Sequence, residues 1–98
     1  MPGIIIMHSF KLKEGASVQD FMLAATDVQN NVNKGYSYQL LRDGENWADM
    51  CVFETEEDFQ NFVKNVDEVV NNPYIKKFQS YLDGKGISRR RFTVEKSY

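Results

Sequence analysis

The sequence predicts an α+β domain built on one antiparallel sheet, with elements in the order β-α-β-β-α-(α)-β. Three observations predict it. Short β-branched apolar runs alternate with stretches whose apolar residues recur every three or four positions. A glycine-centred turn, Asp43-Gly44-Glu45, joins two of the apolar runs as a hairpin. The chain has 98 residues, enough for a single domain spanning 1–98.

The elements follow in order. Residues 3–12 (GIIIMHSFKL) form a strand that breaks at Lys13-Glu14-Gly15. Ser17 with Asp20 three residues on resembles a capping box and opens a helix carrying Phe21, Ala24, Ala25, Val28 and Val32. Gly35 is expected to close that helix as a left-handed cap. YSYQLLR (36–42) and NWADMCVFE (46–54) are the hairpin strands. Thr55 with Asp58 is a second capping box, and Glu56, Glu57 and Asp58 suit the positive end of a helix dipole. Phe59, Phe62, Val63, Val66 and Val70 are that helix's apolar stripe, broken by Asn71-Asn72. Asn72 as cap and Pro73 in the first turn start a short third helix with Tyr74, Ile75, Phe78 and Leu82. After the turn Asp83-Gly84-Lys85-Gly86, ISRRRFTVEK (87–96) is the last strand. This is the ferredoxin-like order, implying a four-stranded antiparallel sheet with the first and third strands central.

Composition narrows the function. A chain 42% hydrophobic, 27% charged and 13% aromatic is expected to fold rather than stay disordered. Twelve basic against 14 acidic residues (net charge −2) argue against a nucleic-acid binder, whose affinity rests on neutralising phosphates. The single cysteine, Cys51, has no partner for an internal disulfide, which suits a reducing compartment and predicts a cytoplasmic location. No apolar run approaches the ~18 residues of a membrane span, and the apolar start Met1–Met7 lacks the basic leader of a signal peptide.

Strand alternation assigns faces. Ile4, Ile6, Phe10 and Leu12 share one face of the first strand, Ile5 and Met7 the other. In the third strand Trp47, Cys51 and Phe53 oppose Ala48, Met50 and Val52. Both central strands are thus apolar on both faces, while the helices cover only one. A second copy of the chain is the economical cover for the other, giving a homodimer paired into a barrel.

The only histidine, His8, lies in phase with Ile6 and Phe10 on the helix-covered face. An imidazole there is a candidate general base on a phenol or enol, against the alternative of a core-edge histidine bonded to a carbonyl or tyrosine. Tyr38, Trp47, Phe53, Tyr74 and Phe78, with Tyr36 and Tyr81, are candidates for the aromatic wall of a ligand pocket. Cys51, within an apolar strand, reads as a small buried hydrophobe. One His, one Cys and scattered carboxylates give no metal-ligand spacing. Arg89 and Arg91 alternate with Arg90 on the last strand, either guarding a sheet edge or binding an anion.

The strings HSFKLKEGASVQDF, KGYSYQLLRDGENWADMCVFETEEDFQNF and NPYIKKFQSYL resemble the dimeric α+β barrel superfamily, and within it the antibiotic-biosynthesis-monooxygenase-like branch. The resemblance covers Ile4 to Val94. It implies a cofactor-independent monooxygenase or cyclase acting on a small aromatic or polyketide-like molecule, with His8 as base. It also admits a non-catalytic dimeric small-molecule-binding or stress-related protein. Haem-degrading members carry an Asn, a Trp and an axial His where His8, Phe53 and Phe78 stand here, so the resemblance implies no haem and no other cofactor.

Overall fold

The computed structural model describes residues 3–98; Met1 and Pro2 of the apolar start lie outside the described residues. The chain runs β1 (Ile4–Phe10), α1 (Val18–Asn31), β2 (Ser37–Asp43), β3 (Asn46–Phe53), α2 (Glu56–Lys64), α3 (Val66–Val70), α4 (Pro73–Ser80) and β4 (Ser88–Thr93). The strands pair antiparallel in the order β2-β3-β1-β4, which puts β1 and β3 in the centre as the ferredoxin-like order requires.

The helix starts follow the predicted caps. Ser17 Oγ accepts from the Asp20 N–H at 3.1 Å, Thr55 Oγ1 from the Asp58 N–H at 3.0 Å, and Asn72 Oδ1 from the Tyr74 N–H at 2.8 Å. Three details differ from expectation. Val32, not Gly35, caps α1, its N–H donating to the Val28 carbonyl; Gly35 follows in the connection to β2 at φ 81°. The apolar stripe of 59–70 belongs to two helices, because the chain tightens at Asn65. There the backbone N–H donates to the Phe62 carbonyl and the side chain Nδ2 to the Asn61 carbonyl, each at 3.0 Å. Such short-range bonds end a helix while keeping its phase. The first and last strands also stop short of the predicted ends, leaving Leu12 to bridge Leu82 alone.

All four helices cover one sheet face, where the core forms two clusters. In the first, Phe21 of α1 is fully buried against Phe10, Trp47 and Phe78, with ring centroids 6.0, 5.1 and 5.0 Å away. In the second, Phe53 packs on Ile4, Ile6 and Phe59, and on Tyr36 at 4.8 Å and Phe62 at 5.3 Å. On the opposite sheet face Ile5, Met7, Ala48, Met50 and Val52 stay half-buried, and Leu41 and Phe92 are each 40% exposed.

Candidate functional site

A cavity of about 510 Å³ opens between the helices and the covered sheet face, touching members of both core clusters. Strand alternation supplies its floor: Ile6, His8 and Phe10 from β1, Asp49, Cys51 and Phe53 from β3, Tyr38 from β2, and Arg89 from β4. The opposite wall is aliphatic and aromatic, with Phe62 and Val63 of α2, Val66, Val69 and Val70 of α3, and Ile75 and Phe78 of α4. The surface is therefore apolar except for a few convergent polar groups, the usual make-up of a small-molecule site.

Those polar groups lie in register. Asp49 of β3 faces His8 of β1, which faces Arg89 of β4, so the three cross the sheet in one row. His8 Nδ1 donates to Asp49 Oδ1 at 2.8 Å, and the Tyr38 hydroxyl donates to Asp49 Oδ2 at 2.8 Å. Both oxygens of this carboxylate, only 6% exposed, are thereby satisfied. With the proton on Nδ1, Nε2 carries the lone pair; it has no protein partner among the described residues.

The neighbours are held in their neutral forms. Burial, then the Asp49 charge and its hydrogen bond, push the Tyr38 hydroxyl well above the ordinary phenol range, so it stays a donor. Burial also raises Tyr36, whose hydroxyl donates to Asn33 Oδ1 at 2.6 Å. The Cys51 thiol is pushed up to about 12, first by burial and then by Asp49, with Arg89 pulling the other way. Such a thiol is no nucleophile at neutral pH.

Of the residues singled out in the sequence, His8, Tyr36, Tyr38, Phe53 and Phe78 meet at this cavity, while Tyr81 packs against the first core cluster. Trp47 does not. It is buried in the first core cluster under the Arg42 guanidinium and borders a separate, more open concavity with Phe10, Leu41 and Lys85. Tyr74 is 41% exposed and outside the cavity wall. Asp49 was not anticipated. The available signal was a lone carboxylate in the apolar run NWADMCVF, in phase with Trp47, Cys51 and Phe53. Among the described residues no three His, Cys, Asp or Glu side chains converge as a metal-ligand set, and no helix is long and apolar enough to cross a membrane.

No protein-family model and no curated protein matches the sequence. Solved structures do match the fold. A cofactor-independent oxygenase, SnoaB from Streptomyces nogalater, superposes with a TM-score of 0.71 at 11% identity, covering 99% of this chain and 97% of that one. A dimeric ferredoxin-like protein from an uncultured marine organism gives 0.65 at 9% identity over 100% and 92% of the two chains. A putative antibiotic biosynthesis monooxygenase from Chloroflexus aurantiacus gives 0.58 at 9% identity over 98% and 96%. At such identities the likeness is one of fold: the chain is a ferredoxin-like α+β domain with a four-stranded antiparallel sheet.

Proposed function

We propose that the protein is a cofactor-independent monooxygenase-like enzyme whose cavity takes a small aromatic or polyketide-like molecule, with His8 as general base. The observation that carries this reading is the His8–Asp49 pair. It anchors Nδ1 and leaves the Nε2 lone pair free at the edge of an apolar cavity. Tyr38 holds the other carboxylate oxygen, so the imidazole is oriented from behind by a locked carboxylate.

The chemistry follows from that placement. Nε2 removes the proton of a phenolic or enolic hydroxyl. The resulting anion gives one electron to dioxygen, and recombination forms a C–O bond. The imidazolium returns its proton to the peroxide, and loss of water, taking the hydrogen of that carbon, leaves a carbonyl there. One oxygen atom stays in the product and the other leaves as water, and all four electrons that reduce dioxygen come from the substrate itself. SnoaB offers a precedent for oxygenation without a cofactor on this fold.

The working unit in this reading is a homodimer closed over Ile5, Met7, Ala48, Met50 and Val52, the half-buried sheet face. The marine neighbour is itself a dimeric ferredoxin-like protein. The unpaired Cys51 suits a cytoplasmic location.

The test is oxygen uptake with a hydroxylated naphthalene as probe, corrected for autoxidation, with quinone measured in parallel. We expect uptake to match quinone formed, and His8→Ala to remove ~10²–10⁴-fold of the rate while the circular dichroism spectrum is kept. Saturable binding without oxidation would instead favour a non-catalytic dimeric binding protein, for which Phe53 and Phe78 already furnish the walls.

A further inference from the structure

The three arginines of β4 have different surroundings. Arg91 is paired with Glu56 Oε2 at 3.3 Å and lies 4.6 Å over the Phe59 ring. Arg90, on the opposite face, lies 5.4 Å over Phe92. Arg89 makes no hydrogen bond or ion pair with a carboxylate among the described residues, yet it lines the cavity beside His8.

Asp49 does not neutralise it. The two sit on β3 and β4 with β1 between them, roughly 10 Å apart by ordinary strand spacing, and both Asp49 oxygens are already taken. Arg89 is exposed where Asp49 is buried, so a positive group stands at the cavity's outer edge and a satisfied negative one at its floor. Its charge also reaches inward, since it acts on the Cys51 thiol. A guanidinium with an apolar stem and a fork of free donors is suited to an oxyanion, two of whose oxygens it can hold by parallel hydrogen bonds.

We propose that Arg89 makes the cavity selective for an apolar molecule bearing one anionic head. The head is held at the mouth by the guanidinium, while the body lies along Val63, Val66 and Val70 and presents its hydroxyl to His8. This rests on the cavity being the ligand site, and the experiment separates the two claims.

Two fluorescent probes differing only in an anionic group serve as ligands: anilinonaphthalene sulfonate, and the uncharged phenylnaphthylamine. We expect both to bind saturably. Arg89→Ala should weaken the sulfonate by about tenfold or more, the worth of a hydrogen bond to a charged group, and leave the uncharged probe within about twofold on the same scale. Arg89→Lys should recover part of the loss, and Arg90→Ala should change neither affinity. Val66→Trp, which fills the cavity, should abolish both. Equal losses of both probes in Arg89→Ala, or none, would overturn the anion role and leave the cavity standing as a site. Failure of either probe to bind the wild type, or binding that survives Val66→Trp, would overturn the cavity reading and this inference with it.

Discussion

Asp49 is the residue on which the site turns, because one buried carboxylate holds both the imidazole and the Tyr38 hydroxyl. Replacing it with asparagine keeps the shape and removes the charge that would steady a protonated imidazole. Under the proposed function we expect Asp49→Asn to lower kcat by about 10²-fold or more with KM little changed, because there it would act on the base rather than on binding. Steady-state oxygen uptake across pH would check this, and an effect confined to KM would contradict it. His8 was legible in the sequence, since strand alternation alone sets it in phase with Ile6 and Phe10. Its partner was not. The bond from Tyr38 crosses diagonally to Asp49 while its direct partner is Cys51, so it depends on the β2–β3 register, which only the folded hairpin fixes. Trp47 and Tyr74 were aromatic candidates by type, but aromatic type does not distinguish a core ring or an exposed one from a cavity wall.

At the scale of elements, the two hairpin strands and the three capped helix starts were readable because each rests on local chemistry: a glycine turn, or a side-chain oxygen aimed at a free N–H. The break at Asn65 was not. Asparagine inside a helix costs only a fraction of a kcal/mol, and Val66 and Val70 continue the phase of Phe59 and Phe62, so the periodicity runs across the break unmarked. α1 is the element most firmly held, through Phe21. Phe21→Ala, by removing a fully buried ring packed on four others, should destabilise by about 3–5 kcal/mol. Urea denaturation would show a lower midpoint at unchanged slope, and a loss under ~1 kcal/mol would mean that the site collapses around the gap.

For the whole molecule, the half-buried sheet face predicts association. Met50 lies in the centre of that face, opposite Met7 and Gln39, and Met50→Asp should place an unpaired charge within a dimer seam and yield single chains by sedimentation velocity. A wild type that already sediments as one chain at micromolar concentration would remove the dimer. The split of the core into two clusters has a kinetic consequence as well. The cluster around Phe21 ties α1 to α4, the cluster around Phe53 secures α2 to β3, and the cavity opens where they adjoin. Segments joined mainly through shared strands open as separate units, so the amides of α2 and α3 should exchange with deuterium sooner than those of α1. A molecule filling the cavity touches both sides, and at roughly 100 times its Kd it would stabilise the closed form by about 2.7 kcal/mol. Deuterium uptake with and without anilinonaphthalene sulfonate should then slow most in α2 and α3, so that the ligand merges two independently opening regions into one cooperative unit.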